Sequence, residues 1–257
     1  MGKIGLVMSG GGARGVAHLG AIKAFEERGL KPDIISGVSS GAIVGALYAS
    51  GMKPEQVMEL LVKTKIYRYI RPAFSKFGFL NIEKLLRIYQ LHLPIKTFEE
   101  LYLRLYISAA DLREGKTVYF EEGDLIKAIL ASTCLPVIFA PLEVDNRLLV
   151  DGGIMNNLPV EPLIDTCELI LGVHVNPANP NFKVSSIKSM IERTFHLAIQ
   201  NNVRQRAPFC HIFIEPPELI KYGLFDIAKA EEIFKLGYTH ACNVLKESEK
   251  ILLKHNL

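Results

Sequence analysis

Paired cysteines and long apolar runs are both missing from this chain of 257 residues. The absence of any CxxC pair argues against a disulfide framework or a zinc site, and indicates reduced thiols in a cytosolic protein. No apolar run approaches the roughly 18 residues of a membrane span. We therefore expect a cytoplasmic protein whose contact with a membrane, if any, is peripheral. The four widely spaced cysteines are Cys134, Cys167, Cys210 and Cys242.

An excess of either charge is also absent. The formal net charge is +3 and the isoelectric point about 8.6, too mild to indicate a nucleic-acid partner but compatible with an anionic membrane surface. Hydrophobic residues make up 49% of the chain and charged residues 22%, which excludes disorder. The apolar run before the first glycines is too short for a signal peptide, and Leu6 does not fit the myristoylation pattern.

Repeats, linkers and low-complexity tracts are missing too, so one domain over residues 1–257 is the simplest organisation. The run KIGLVMS predicts a buried strand, and VAHLGAIKAFEERGL predicts a helix that ends at Gly29. DIISGV and SGAIVGALYASG repeat this order. The alternation predicts an α/β fold with a parallel or mixed sheet covered by helices.

Two hairpins are predicted in the middle of the chain. LYISAADLREGKTVYFEEG turns around REGK, and LEVDNRLLVDGG turns at Asp145-Asn146. Pro54 lies near the start of a predicted helix, KPEQVMELLVKT, and TFEELYLR is predicted to be at least partly helical. ELILGVHV predicts another buried strand.

The region beyond Pro177 contains no recognisable functional motif. It holds a long predicted helix with a serine N-cap, a short strand CHIFIEP and a final helical stretch. The chain is therefore divided into a motif-bearing part, about residues 3–177, and a mostly helical part, about residues 178–257.

A strand-to-helix turn carries the pattern G-x-S-x-G at Gly37, Ser39 and Gly41. Such a turn exposes the serine hydroxyl, and the two glycines let the strand and the helix pass closely. Ser39 is therefore a candidate nucleophile. Its alternative role is the N-cap of the following helix, which serine also favours. Ser40 is a competing hydroxyl, but it does not fit the glycine spacing.

A glycine-rich loop follows the first strand. It fits G-x-G-x-x-G, but the next strand ends at Ser39 and not at the acidic residue that a dinucleotide site needs. The loop and the serine turn would then meet at the carboxyl edge of the sheet, where backbone N–H groups could stabilise an oxyanion. A plain structural turn is the alternative. The candidate oxyanion or substrate-binding residues are Gly10, Gly11, Gly12, Arg14 and Gly15.

A base for the serine is less obvious. Of the seven histidines, His174 has the best position in the chain, while His18, His196 and His240 fall in predicted helices and are interpreted as structural. Asp151 follows a hairpin strand and precedes Gly152 and Gly153, which would hold its carboxylate on a tight turn. A carboxylate can activate a serine directly. A common Asp-Gly turn without a chemical role is the alternative.

The three motifs together resemble the patatin-like phospholipase family. GGGARG, GVSSG and DGG occur in that family's order, with similar flanks in ASTCLPVIFAPL and NNLPVEPL. The resemblance covers about Lys3 to the strand ELILGVHV. It implies a three-layer α/β/α fold with a mainly parallel central sheet. It also implies a lipid acyl hydrolase of the phospholipase A, lysophospholipase or esterase type, without metal or other cofactor.

By the same resemblance Ser39 is the nucleophile, Asp151 is its partner in a Ser-Asp dyad, and Gly10 to Gly12 with Arg14 form the oxyanion loop. Arg14 could orient that loop or meet a lipid phosphate, or it could simply form a surface salt bridge. Gly153 stands where alanine is also common in the family.

Two other functions stay open. An acyltransferase could use the same scaffold, although the related transferases usually carry histidine where this chain has Val38. A non-enzymatic regulatory protein is the second alternative, and the intact motifs argue against it. The oligomeric state is open, and the expected partner is a lipid or another acyl ester.

A candidate for access to lipid is the segment 66–80, IYRYIRPAFSKFGFL, in which basic side chains are interleaved with aromatic ones. Aromatic rings favour a membrane interface and basic side chains favour anionic head groups. The segment is either a mobile lid over the site or a buried connection.

Overall fold

The fold was analysed in a computed structural model, which describes residues 2–63, 86, 87, 89–91, 93, 95–136 and 139–255. The segment 66–80, predicted as a lid or a core connection, lies outside the described residues. Within the described ranges, no helix combines the length and apolar character needed to cross a membrane.

Eight strands form one sheet in the order β5-β6-β3-β2-β1-β7-β8, with β4 paired to β3. Their bounds are β1 Ile4–Met8, β2 Ile34–Val38, β3 Arg104–Asp111, β4 Lys116–Phe120, β5 Leu142–Val144, β6 Arg147–Asp151, β7 Leu169–Val173 and β8 Ile212–Ile214. Five neighbouring strands of the sheet are parallel to one another: β3, β2, β1, β7 and β8. The remaining strands, β4, β5 and β6, are joined by antiparallel pairing.

The α-helices that the structure describes cover both faces of this sheet. They are α1 Val16–Glu27, α2 Ser40–Ala49, α3 Pro54–Lys63, α4 Leu125–Thr133, α5 Glu161–Ile164, α6 Ile187–Arg206, α7 Ala230–Glu247 and α8 Glu249–Lys254. Short 3-10 turns occur at Gly12–Gly15, Phe98–Glu100, Gly152–Ile154, Ala207–Phe209, Pro217–Lys221 and Ile227–Lys229.

Side chains of the central strands alternate between two buried layers, as the pleat of a strand requires. In β1, Leu6 and Met8 join the main cluster with α1, α2, α3, α4 and α7, whereas Val7 points to the opposite face. That second face is covered by Leu163 of α5 and Val203 of α6. The predicted three-layer α/β/α fold with a mainly parallel sheet is confirmed.

The register of β3 places the carboxyl ends of β2 and β6 against each other. The last residue of β2, Val38, pairs with Ser108 in parallel. The last residue of β6, Asp151, pairs with the next residue, Ala109, in antiparallel. Because β4 occupies the other edge of β3 at both positions, β2 and β6 lie in line along one edge. Ser39, which follows β2, therefore comes close to Asp151.

Both predicted hairpins are confirmed, as β3–β4 and β5–β6. Asp145 and Asn146 have φ of 49° and 63°, the left-handed pair that a two-residue hairpin turn requires. The helix predicted in TFEELYLR is wrong beyond its first turn. Thr97 and Glu100 form a reciprocal capping box around a single 3-10 turn, and β3 begins at Arg104.

Candidate active site

Ser39 stands on a strained turn between β2 and α2. Its φ of 53° and ψ of −120° fall in a region that side-chain-bearing residues rarely adopt. A Cβ on Gly37 would come within 2.6 Å of the carbonyl oxygen of Gly41, and one on Gly41 would come within 2.7 Å of that of Ser9. The glycine positions of G-x-S-x-G are thus required by the close passage of strand and helix.

The Ser39 hydroxyl does not act as a helix cap. Ser39 occupies the N-cap position of α2, but its side chain accepts no hydrogen bond from the first turn. Its backbone N–H donates instead to Oγ of Ser132 at 2.8 Å, which holds the turn in place. The Ser40 hydroxyl is buried and has no partner among the described residues. Of the two serines, Ser39 is the one whose side chain influences the pKa of a carboxylate in the same cavity.

That carboxylate belongs to Asp151, which is only 4% exposed. Burial raises its pKa to about 6, against the opposing effects of a side-chain hydrogen bond with Ser39 and of the Gly153 N–H. The Gly153 N–H donates to Oδ1 of Asp151 at 2.9 Å. The Asp151 N–H donates to the Cys134 carbonyl at 2.9 Å, which fixes the backbone. The buried carboxylate is therefore ionised at neutral pH and can accept the hydroxyl proton.

The glycine loop lies beside this pair and is anchored at Gly10. The Gly10 N–H donates to Oδ1 of Asn157 at 3.0 Å, and the Gly10 carbonyl accepts from Nδ2 of Asn176 at 2.5 Å. The Gly10 amide is thus already in use. In the part of the chain that the structure describes, the N–H groups of Gly11 and Gly12 have no protein acceptor. These two remain available to a ligand.

Three further glycines, two in the loop and one after β6, support this arrangement. Gly12 has φ of 58°, a left-handed conformation that favours glycine. A Cβ on Gly15 would come within 2.6 Å of the Ser40 side chain, so glycine lets the loop lie against α2. A Cβ on Gly152 would come within 2.7 Å of the Ser108 carbonyl, which keeps the end of β6 close to β3.

Arg14 ties the glycine loop to the rest of the protein. Its Nε donates to the Tyr222 carbonyl at 2.7 Å, and its Nη1 donates to Oδ1 of Asn176 at 3.1 Å. Burial lowers its pKa, while the charge of Asp226 acts in the opposite direction. No described carboxylate lies within ion-pair distance of it, so the alternative of a surface salt bridge does not apply to the described part of the chain.

Amide side chains that motif analysis did not assign hold the site together. Asn202 of α6 accepts the Asn157 N–H at 2.9 Å through Oδ1 and donates to the Gly153 carbonyl at 3.4 Å. Gln200, also in α6, donates to the Asn176 carbonyl. Asn157 lies within NNLPVEPL, one of the segments that carry the family resemblance. No local sequence pattern marks Gln200 or Asn202 in α6. The region beyond Pro177 thus supports the site directly.

The histidines divide differently from what their positions predict. His174 is fully buried and its Nε2 lies 3.0 Å from the Asn176 carbonyl. Burial lowers its pKa to about 3, and it does not line the cavity beside Ser39. His18 is also buried, with Nε2 2.8 Å from the Ser9 carbonyl. His196, interpreted as structural, lines the cavity.

A cavity of about 640 Å³ opens over Ser39 and Asp151. One wall is formed by the glycine loop, and the opposite walls come from α6 and from residues 220–225. Its size and apolar lining fit an acyl chain. The apolar lining residues are Ile43, Leu135, Ile154, Phe182, Phe195, Ile199, Ile220, Leu224 and Phe225. Nowhere in the described ranges do three side chains of the metal-ligating types converge on one position.

Sequence comparisons place these motifs in a family context. The family model for patatin-like phospholipase matches residues 6–164. An uncharacterised NTE family protein of Mycobacterium tuberculosis is 36% identical over 203 residues, which cover 75% of this chain and 56% of the relative. Lysophospholipase NTE1 of Kluyveromyces lactis is 27% identical over 296 residues, or 96% of this chain and 19% of that protein. The chain thus spans about half of the mycobacterial relative and a fifth of the fungal one.

Solved structures share the fold at low sequence identity. VipD from Legionella pneumophila has a TM-score of 0.56 at 15% identity, over 96% of this chain and 67% of that one. Human GIVD cytosolic phospholipase A2 has a TM-score of 0.52 at 11% identity, over 99% and 60%. At these identities the likeness concerns the fold.

Proposed function

Since the chain belongs to the patatin-like phospholipase family, a family of lipid ester hydrolases, we propose that it is a serine lipid acyl hydrolase with Ser39 as nucleophile and Asp151 as general base. The observation that carries this proposal is that Ser39, on its strained turn, and the buried carboxylate of Asp151 line the same cavity, where the Ser39 side chain lowers the pKa of Asp151. The positive φ of Ser39 supports it, because strain at a side-chain-bearing residue needs a reason.

The reaction needs only groups of this chain, the substrate and water. Oγ of Ser39 bonds to the ester carbonyl carbon while its proton moves to the Asp151 carboxylate. The carbonyl oxygen becomes an oxyanion, which the N–H groups of Gly11 and Gly12 stabilise. The bond to the alcohol then breaks, and the alcohol oxygen takes the proton from Asp151. Water repeats the cycle on the acyl-enzyme and releases the fatty acid.

The oxyanion donors are assigned by elimination within the loop. The Gly10 amide is bonded to Asn157, and the Ala13 amide donates to the Leu224 carbonyl at 2.8 Å. Gly11 and Gly12 lie between these two fixed points. Loss of one such donor typically costs about 3 kcal/mol of transition-state stabilisation.

The substrate class within lipid esters is part of the proposal. The fungal relatives are named lysophospholipases, and the apolar cavity fits one acyl chain. Lipid would be taken from a membrane by peripheral contact. Transfer of the acyl group to an alcohol other than water would use the same acyl-enzyme, so acyltransferase activity is tested by adding a lipid alcohol and analysing the products.

The test compares two adjacent hydroxyls. Ser39→Ala should abolish hydrolysis of a short acyl ester and labelling by a fluorophosphonate, which reacts with activated serines. Ser40→Ala should keep much of both, because the Ser40 hydroxyl has no partner among the described residues. Mass spectrometry of the labelled peptide identifies the modified serine. Turnover by purified Ser39→Ala protein, with contaminating esterase excluded, would overturn the proposal.

A further inference from the structure

The charged groups that line the cavity are unbalanced. Three cationic side chains, Arg14, Arg193 and Lys221, and one histidine, His196, contribute to its walls. Among the described lining residues the only carboxylate is Asp151, and it is buried beside Ser39. A cleft lined by one sign of charge with apolar walls concentrates ligands of the opposite sign.

Arg193 has guanidinium N–H groups that remain available to a ligand. Both Nε and Nη1 of Arg14 already donate to protein acceptors. Arg193 forms no ion pair or hydrogen bond with any residue whose side chain the structure describes, a set that leaves out Lys188 and Glu192. Its guanidinium carbon lies 5.3 Å from the centre of the Phe182 ring, which orients it by a cation–π contact without using its N–H groups.

His196 and Lys221 extend this surface. Arg193 and His196 are three residues apart in α6, so they lie on one helix face, and both line the cavity. Burial and the charges of Arg14 and Arg193 lower the pKa of His196. The imidazole is therefore neutral at pH 7 and can donate one N–H. Lys221 enters from the 3-10 turn Pro217–Lys221 at the other wall.

We propose that Arg193, with His196 and Lys221, binds an anionic group of the substrate, so that the enzyme prefers acyl esters carrying a phosphate-type anion over neutral esters. A planar guanidinium matches phosphate oxygens in pairs, which an ammonium group does not. This inference rests on the proposed function, because it names the substrate class of that site. It also gives the region beyond Pro177 a role in specificity.

A matched pair of substrates measures the preference. A monoacylglycerol phosphate and the corresponding monoacylglycerol share one acyl ester and differ in the anion, and both are used below their aggregation concentration. Arg193→Gln should lower the ratio of kcat/KM for the charged over the neutral ester at least tenfold, mainly through KM. Arg193→Lys should restore only part of it. Arg204→Gln, an exposed arginine of α6 outside the cavity, should leave the ratio unchanged.

Binding without turnover separates this inference from the proposed function. An ether-linked alkylglycerol phosphate, which cannot be hydrolysed, should bind Ser39→Ala protein, and adding Arg193→Gln should weaken that binding at least tenfold in calorimetry. Inorganic phosphate should bind far more weakly than the lipid, because it lacks the acyl chain. An unchanged substrate ratio in Arg193→Gln, or an equal fall in Arg204→Gln, would overturn the inference. An active Ser39→Ala protein would overturn the proposed function alone.

Discussion

Replacing Asp151 with asparagine should inactivate the protein and also make it more stable. Asparagine has nearly the same shape, and its Oδ1 can still accept the Gly153 N–H that the carboxylate accepts now. The change removes a charge that the fold has buried. Catalytic groups held in unfavourable surroundings commonly produce such a trade between stability and activity.

The magnitude follows from the pKa of Asp151. Burial raises this pKa from 3.8 to about 6, which corresponds to about 3 kcal/mol of unfolding free energy lost at neutral pH. For a chain of this size, a gain of that order raises Tm by roughly 5–10 °C. Turnover should fall by several orders of magnitude, because the general base is lost.

The stability gained by Asp151→Asn should depend on pH. The folded state binds the Asp151 proton more tightly than the unfolded chain does, so the unfolding free energy of the wild type rises as the pH falls from about 6 to about 4. The asparagine variant lacks this contribution. Its advantage in Tm should therefore be largest above pH 6 and should shrink towards pH 4.

Thermal unfolding of both proteins between pH 4 and pH 8 measures this difference. Asp165→Asn is the matched control, because Asp165 is an exposed carboxylate and its loss should change stability by less than about 0.5 kcal/mol. A variant that is no more stable than wild type, or whose advantage is the same at every pH, would refute the argument that Asp151 is buried at a cost.

Other perturbations test the site and its scaffold. The kcat/KM for a soluble ester should fall tenfold per pH unit below about pH 6, as Asp151 becomes protonated, and His174→Gln should keep this acidic limb. Asn157→Ala should lower kcat roughly 10-fold or more at an unchanged circular dichroism spectrum, because the first amide of the glycine loop loses its anchor; an unchanged kcat would contradict the anchoring role. Gly41→Ala should unfold or aggregate the protein, because the added Cβ would collide with carbonyl oxygens at the end of β1. Gly29→Ala has open space around it and should lower the free energy of unfolding by about 1 kcal/mol in denaturant titrations. Equal stability of the two alanine variants would refute the close passage of strand and helix.

Local sequence determined the parts of this protein whose physics is local. A turn with two left-handed residues demands asparagine, aspartate or glycine, so Asp145-Asn146 marked its hairpin. Short continuous apolar runs marked the buried strands, and apolar residues with a period of 3.6 marked the helices. The turn at Ser39 was recognisable because glycines must flank it where strand and helix cross. Among the described residues, the helix predicted in TFEELYLR ended after one turn, where a capping box closed that turn and a strand began.

The strand order predicts that the glycine loop meets the serine turn, but the tertiary structure decided how the more distant segments join them. Ser39 and Asp151 come together because β2 and β6 end at neighbouring positions along β3, a register that no segment encodes by itself. From α6, Gln200 reaches the Asn176 carbonyl and Asn202 reaches Asn157 and the Asp151 turn, although the pattern of α6 indicates only a solvent-facing helix. The cationic wall of the cavity arises in the same way, since Arg193 and Lys221 come from separate elements. Contacts between distant segments depend on the packing of the whole sheet, and no short stretch of sequence determines that packing.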